Sequence, residues 1–593
     1  MIVLWVDAGG DHAQRVGVSV GDSAAGMGGV RRRRPAPRQR HADVSSFLQE
    51  TRRNWIGQRS GTRRGVEGQG REALTRLRLG GFLSLPSLSP PSEGPVDKAP
   101  SWAELEGRLE ALLTEEERRM IALREEGSGP PSCFAPVRLF RDHQCEGGEE
   151  GAGEETETVR VRLFRDTAAW CPYCEKVWLT LEEKRVPYSV ELVNMTCYGD
   201  KRKDYLDLVQ SGLLPAVEID GRIHTESLSI VNLLERSFTS PEFVSLIPSN
   251  ISDDELKTIP KLVLLERRLF GAWLDWIVTP LPGILQGGNR EKFREKMTEV
   301  DAELKKRGGP FFLGDDEKFS LVDILFAPTL ERIAASCAYF KGEIIRGGAW
   351  PSVDLWFDAM ERRPTYKAIR SDFYTTVQAL PPQLPFCSEM ASETQKACKS
   401  EIDGQNGGWV HPPRSHPGRL ILEPSVSLER KEDKEETAAA MKEAARNLVR
   451  NRHKVLPFTL RAFSALPALP PVSAPLSEPG KPTDTPETSL WTPHVDCALR
   501  HVAALLLDVA AAGGGRAEPW RQNFEDPKDP GREAETGKEG MPGPSLSPQL
   551  DPRTVAALRY LQVRVGAPRD MSAPAALQLR RFLGLVITCL TSR

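Results

Sequence analysis

The sequence predicts an α/β domain joined to an all-α domain, with a long leader in front and a helical extension behind. Three observations lead there. Between Val159 and residue 238, strand-like alternation and helical periodicity succeed one another in the order βαβ-α-ββα. A Cys-Pro-Tyr-Cys run, residues 171–174, stands at the first strand-to-helix junction. After Pro241 the strand signals vanish and amphipathic helices take over.

The elements follow in order. Residues 1–100 show no sustained period and end in the turn-rich LSLPSLSPPSEGP, so a disordered leader is expected there. Between Arg31 and Gly80 it holds fourteen arginines, no lysine and four acids, which suits an organelle transit peptide as well as a solvated tail; Asp7, Asp11 and Asp22 count against the former. Residues 101–158 open with a helix over 101–126, whose Ser101 and Glu104 have capping-box spacing. VRLFRD then occurs twice, at 137–142 and 161–166, around an acidic loop with six glutamates; the first copy is either an edge strand or an accident of duplication. The α/β domain, 159–238, reads as strand VRVRLF, helix PYCEKVWLTLEEKR, strand PYSVELV, helix KRKDYLDLVQ, strands PAVEID and RIHTE, and helix SLSIVNLLERSF. The all-α domain, 239–385, carries an S-x-x-D cap at Ser320 and Asp323. Residues 386–430 read as a connector, and 431–593 as a helical extension with four helical candidates and two Pro/Gly-rich insertions. Eight prolines in 464–493 argue against helix or sheet there.

Composition excludes several function classes. A net charge of -3 from 79 basic and 82 acidic groups gives no overall field for nucleic acid or an anionic membrane, and the RRRR run at 31–34 lacks interleaved aromatics. The apolar run FLGLVITCL is half the length needed to cross a bilayer, so no membrane association is expected. Ten irregularly spaced cysteines do not form the framework of a small secreted protein and suggest free thiols in a reducing compartment.

The cysteine pair is the chemical signal. With a helix starting after Cys171, its sulfur sits at the cap position, facing unpaired N–H groups and the positive end of the helix dipole. Pro172 occupies the first helical position, where a missing N–H costs nothing, and Cys174 lies one turn in, close enough to form a disulfide. Cys171 is then the nucleophile and Cys174 the resolving thiol. A helix terminus contributes roughly 0.3 to 2 kcal/mol to an anion there, so a cation such as Lys176 or the bound partner has to add to it; the alternative for Lys176 is a solvated helix face. Zinc needs four ligands and there is no second CxxC; Cys387, Cys398, His411 and His416 have the wrong spacing, so no metal is expected. Two inert buried thiols remain the plain alternative. A CxxC in this strand-helix context is the thioredoxin-like signature.

FRDTAAWCPYCEKVWLTLEEKRVPY, with MTCYGDK, SGLLPAVEIDGRIHTES, WFDAMERRPTY and LPPQL, resembles the glutathione transferases, most closely the iota class of photosynthetic organisms with its glutaredoxin-type CPYC site. The likeness runs from Val159 to Pro385 and resumes in the tail with NLVRNRHKVL, ALRYLQVRVGAPRDMS and AALQLRRFL. The resemblance implies a thioredoxin-like glutathione-binding domain followed by the all-α transferase domain, with glutathione as co-substrate. It assigns Cys171 as catalytic and Cys174 as its partner. Trp170, Pro172, Tyr173, Lys201, Leu214, Pro215, Glu226 and Ser227 become glutathione-binding, with Leu214 preceding a cis-proline and Glu226 and Ser227 holding the glutamyl end. Cysteine in place of a serine or tyrosine implies disulfide reduction, including deglutathionylation and dehydroascorbate reduction, above conjugation. The rival of another class is a scaffold that binds an iron-sulfur cluster or an apolar ligand. Homodimers are common in the superfamily, and the expected location is plastid or cytoplasm. Trp273 and Trp276, with Tyr339 and Phe340, suit an acceptor pocket or, more simply, core; His224 reads as a bystander on a strand.

Overall fold

The structure is a computed structural model that describes residues 2–6, 16–20, 99–125, 137–140, 159–197, 200–278, 287–384, 387–405, 431–463, 486–513 and 552–591. The chain divides into two units, Met1–Glu93 and Gly94–Arg593. In the first, β1 (Ile2–Val6) and β2 (Val16–Val20) pair antiparallel, Ile2 opposite Val20. This hairpin lies within the stretch read as a leader: IVLWV is a short apolar run and VGVSV alternates, and both are too brief to register as sustained period. The arginine-rich stretch 31–80 lies outside the described residues.

The second unit opens with α1 (Trp102–Leu112), where Ser101 Oγ accepts the Glu104 N–H at 3.2 Å. The single helix expected over 101–126 is two. A second cap starts α2 (Glu115–Glu125): the Thr114 N–H donates to Glu117 Oε2 at 2.8 Å and the Glu117 N–H to Thr114 Oγ1 at 3.1 Å. Thr-x-x-Glu is the same signature that marks Ser101, so the break has a local cause.

The sheet comprises β3 (Val137–Arg138), β4 (Val161–Asp166), β5 (Tyr188–Val193), β6 (Ala216–Ile219) and β7 (Arg222–Thr225), in the order β3-β5-β4-β6-β7. β4 and β5 run parallel because α3 (Pro172–Lys184) crosses between them; the other pairs are antiparallel. With α4 (Lys203–Leu208) and α5 (Ser227–Ser237) this is the expected thioredoxin-like order. The first VRLFRD copy is an edge strand, Arg138 opposite Tyr188. It also supplies a charge. Arg138 Nε donates to both oxygens of buried Glu182, at 3.1 and 3.2 Å, and the Tyr188 hydroxyl donates to Glu182 at 2.6 Å. A carboxylate sealed under the sheet requires such partners.

The all-α domain holds α6 (Asp253–Val278), α7 (Gly287–Lys305), α8 (Leu321–Ser336), α9 (Pro351–Met360), α10 (Pro364–Ile369), α11 (Phe373–Ala379) and α12 (Glu393–Ile402), α8 running on into a π-helical turn at Cys337–Lys341. α12 stands inside the segment read as a connector. Ser392 caps it at 3.1 Å from the Gln395 N–H, and Gln395 Nε2 donates to the Tyr339 carbonyl at 2.7 Å. Trp273, Trp276, Tyr339 and Phe340 are buried, so the aromatic stripes are core.

Asp323 joins the cap of α8 to two other elements. Its Oδ2 accepts the Ser320 N–H and hydroxyl at 3.0 Å each, and its Oδ1 accepts the Phe312 N–H at 3.1 Å and Trp356 Nε1 at 3.0 Å. Burial pushes this carboxyl up to about 6, against those four donors. The folded state therefore binds the proton more tightly than the unfolded chain, and the contribution of Asp323 falls as pH rises from the ordinary aspartate range through 6. In denaturant titrations, the stability advantage of the protein over its Asp323→Asn variant is expected to be about 2 kcal/mol larger at pH 4.5 than at pH 7.5. A gap that widens with pH would contradict this.

The tail forms α13 (Lys431–Arg450), α14 (Arg452–Leu460), α15 (Pro486–Ala511), α16 (Pro552–Gln562) and α17 (Ala573–Thr591). The first helical candidate breaks at Asn451, and α15 begins within the proline-rich stretch judged unable to form helix, starting at Pro486 where proline is tolerated. Leu105, Leu109 and Leu113 share one core with Leu448, Leu499 and Phe582. Polar contacts agree: Trp102 Nε1 donates to Asp496 at 2.8 Å, and Arg452 pairs with Glu106 at 2.6 Å. Helix α1 and the tail are thus one bundle, with the two other domains between them in the chain. Among the described residues, no helix is long and apolar enough to cross a membrane.

Candidate active site

Strand β4 ends at Asp166, and a short turn carries the chain to α3, with Ala169 in the left-handed region at φ 52°. The turn is tied down at both sides. The Thr167 N–H donates to the Val193 carbonyl at 3.2 Å, and the Trp170 N–H to Asp166 Oδ2 at 2.7 Å. Cys171 is then the N-cap residue of α3 and Pro172 its first helical residue, as the spacing predicts. The Cys171 side chain makes no capping hydrogen bond, and its sulfur faces the Cys174 thiol. It is 8% exposed, against 2% for Cys174. Burial, then the neighbouring Cys171 sulfur and Asp166, push the Cys174 thiol well up.

One carboxylate oxygen and two sulfurs meet here: an Asp166 oxygen, Cys171 Sγ and Cys174 Sγ lie within 4.8 Å of one another. Asp166 is buried and its Oδ1 has no hydrogen-bond partner among the described residues. This is a three-donor set, one short of what tetrahedral zinc takes.

The cation expected beside Cys171 is not Lys176. Lys176 is buried, and its amine pairs with Glu266 of α6 at 2.8 Å, pinning α3 to the all-α domain instead. Arg332 of α8 takes the position. Its guanidinium donates to the Trp170 carbonyl, to the Pro328 carbonyl at 2.9 Å and to Glu175 at 2.8 Å, and stands 5.1 Å from the Trp170 ring centre. Burial works against its charge, but Glu175 and Glu331 hold it protonated, and Cys171 adds to that. One guanidinium cannot neutralise two buried carboxylates. Desolvation and then Glu175 push Glu331 well up, and desolvation raises Glu175 too, against its pairing with Arg332 at 2.8 Å.

The remaining predicted residues fall around this centre. Trp170 is buried, and its Nε1 donates to the Thr376 carbonyl of α11 at 3.3 Å. Tyr173 leaves 40% of its surface exposed. Its hydroxyl is pushed up first by desolvation and then by the charges of Glu266, Cys171 and Glu226. Leu214 packs on Phe164 and Tyr205, and the Leu214–Pro215 bond is cis. Glu226 is the exposed N-cap of α5 at φ 68°, makes no capping hydrogen bond, and is followed by half-buried Ser227. Lys201 directs its amine to the Gly212 carbonyl, 5.7 Å from the Tyr205 ring centre. His224 is half-buried on β7. Asp166 and Arg332 were missed. The first has a local signal, a carboxylate at a strand end five residues before a CxxC; the second sits on a helix far along the chain and has none.

The chain matches the models of the Glutathione S-transferase, N-terminal domain over residues 170–237 and of the Glutathione S-transferase, C-terminal domain over 267–359. It is 30% identical over 176 residues to Glutathione S-transferase DHAR2 of Arabidopsis thaliana, covering 30% of this chain and 73% of that one. Pyrimidodiazepine synthase of Drosophila melanogaster is 28% identical over 216 residues, covering 35% of this chain and 79% of the relative. Among solved structures, glutathione transferase Omega 3C from Trametes versicolor superposes with a TM-score of 0.31 at 26% identity, covering 36% of this chain and 90% of the other. With both family models matched in order on the thioredoxin-like and all-α domains, and with that relative covered over most of its length, this chain belongs to the glutathione S-transferase family.

Proposed function

We propose that this protein is a cysteine-type, iota-like glutathione transferase that reduces mixed disulfides by thiol-disulfide exchange. The observation that carries the reading is the Cys171 sulfur, which crowns α3 without a capping bond while Cys174 is sealed one turn below. In the first step the Cys171 thiolate attacks the glutathione sulfur of a glutathionylated substrate. A Cys171–glutathione disulfide forms and the substrate leaves as a thiolate, which takes up a proton. A second glutathione thiolate then attacks that mixed disulfide, giving oxidised glutathione and restoring Cys171. No cofactor is needed: the two exchanges convert one mixed disulfide and one free glutathione into the substrate thiol and oxidised glutathione.

The other site residues bind. Leu214, before Pro215, offers backbone N–H and C=O groups to the cysteinyl unit of glutathione as an added strand would. Glu226 takes the glutamyl ammonium, and Ser227, in the first turn of α5, offers hydroxyl and N–H donors to its carboxylate. Lys201 serves the glycyl carboxylate by turning away from Gly212. Trp170, Pro172 and Tyr173 wall the cysteinyl pocket. Relatives include proteins named Glutathione S-transferase DHAR2 and Glutathione S-transferase L1, and dehydroascorbate is a second acceptor on this reading.

The test sets two assays side by side. Glutathione-coupled reduction of a small mixed disulfide is expected to turn over, and conjugation of glutathione to an electrophilic aromatic is expected to stay near background. Conjugation exceeding reduction would overturn the reading, as would a coloured, cluster-bearing protein with neither activity.

A further inference from the structure

We propose that the C-terminal helical bundle positions the active-site turn, and that Arg580 of α17 is the residue through which it does so. The inference rests on the reading that Cys171 is the reacting sulfur. Helix α11 is the intermediary. On one side, its Thr376 carbonyl accepts Trp170 Nε1 at 3.3 Å, so the residue immediately before Cys171 is hung from this helix. On the other side, the tail grips its first turn.

That grip is dense. Asp372 caps α11, its Oδ1 accepting the Thr375 N–H at 2.6 Å. The same carboxylate accepts Arg580 Nη1 through Oδ2 at 2.6 Å, and Arg580 Nη2 donates to Thr375 Oγ1 at 3.0 Å and to the Val565 carbonyl at 2.7 Å. Arg580 is 1% exposed, and its guanidinium lies 4.6 Å from the Tyr374 ring centre. Three further bonds join the turn after α16 to the same helix: Ser371 Oγ donates to the Ala567 carbonyl at 2.7 Å, the Ala567 N–H to Thr375 Oγ1 at 3.1 Å, and the Tyr374 hydroxyl to the Val563 carbonyl at 3.1 Å.

The consequence is geometric. Thr375 and Thr376 are neighbours on a helix of seven residues, one held by the tail and the other holding Trp170. A seven-residue helix has too few internal bonds to keep its place alone. It packs on α8, and the clamp on its first turn adds the directional hold that fixes where it sits on that surface, and with it the Trp170 ring. A buried guanidinium that satisfies both a helix cap and a threonine hydroxyl is a directional clamp, which apolar contact is not. The extension is on this account part of the active site's framework, and Arg580 is a positioning residue with no contact to glutathione.

The experiment compares the full-length protein with Arg580→Met and Arg580→Lys. Hydrogen exchange by mass spectrometry reads the amides of Thr167, Ala169 and Trp170, whose bonds tie the turn, without any need for glutathione. The rate at which oxidised glutathione modifies Cys171 gives the second readout. In Arg580→Met these amides are expected to exchange at least fivefold faster while those of β5 and β6 are unchanged, and the Cys171 adduct to form at least fivefold more slowly. Arg580→Lys recovers part of both, because its amine keeps the bond to Asp372.

Should Arg580→Met fail to fold, the double variant Ser371→Ala, Tyr374→Phe takes its place. It removes two hydroxyl bonds to the tail and leaves the buried cation in position, with at least twofold effects expected in the same readouts. Unchanged exchange at the turn in a folded variant overturns the inference. Wild-type protein that takes no adduct on Cys171 overturns the functional reading instead, and the exchange data still decide the coupling.

Discussion

Replacing Cys171 with serine is expected to leave a folded protein whose glutathione-coupled disulfide reduction is at least about a thousandfold slower, as removal of a covalent nucleophile does. The fold survives for a specific reason. Cys171 is an N-cap residue whose side chain makes no capping bond, and serine is among the preferred N-cap residues, so the variant can gain a bond to an N–H of the first turn. Lost activity with retained or raised thermal stability separates chemistry from structure. Cys174→Ser is expected to keep activity within about tenfold of the wild type, because attack by a second glutathione does not require the buried thiol. Equal losses in the two variants would mean that the dithiol route is obligatory.

Replacing Arg332 with methionine is expected to cost about 3 to 5 kcal/mol in denaturant-induced unfolding at pH 7, the usual consequence of removing one partner from a buried charge network. Methionine fills a similar volume but leaves buried Glu175 without the guanidinium it pairs with, so that carboxylate has to take up a proton or stay charged and unpaired. Activity falls with stability, since the Trp170 carbonyl loses its donor beside Cys171. A second change, Glu175→Gln, removes the stranded carboxylate and is expected to recover part of the stability and little of the activity. Recovery of both in equal measure would show that Arg332 acts only on folding.

These two residues mark how far the sequence reaches. Cys171, Pro172 and Cys174 are contiguous, and the strand before them and helix after them have local periods, so the junction and its cap were legible. The cis bond at Leu214–Pro215 and the roles of Glu226 and Ser227 came with the family likeness, and the structure has that bond cis and Glu226 as the N-cap of α5. Charge burial was not legible. Lys176 had a solvated helix face as its alternative reading, yet it and its neighbours Glu175, Glu182 and Lys184 are all buried, because α8 and α5 pack on α3 and each charge finds a partner at long range. Glu182 meets Arg138 from the first VRLFRD copy, Lys176 meets Glu266, and Lys184 meets Glu235. Sequence pattern gives no distance between such partners. The leucine stripe of α1 is similar: Leu105, Leu109 and Leu113 announce a buried face, and only the fold shows that the far end of the chain covers it.

The account stands on one sulfur, and the most direct measurement is mass spectrometry of the intact and digested protein after brief treatment with oxidised glutathione near neutral pH. The expected result is a single glutathione adduct on Cys171 that free glutathione removes and that Cys171→Ser abolishes. Cys197 is the internal control, an exposed thiol outside the turn before α3. An adduct on Cys197 in place of Cys171, or a protein that takes no glutathione while still folded, would contradict the account.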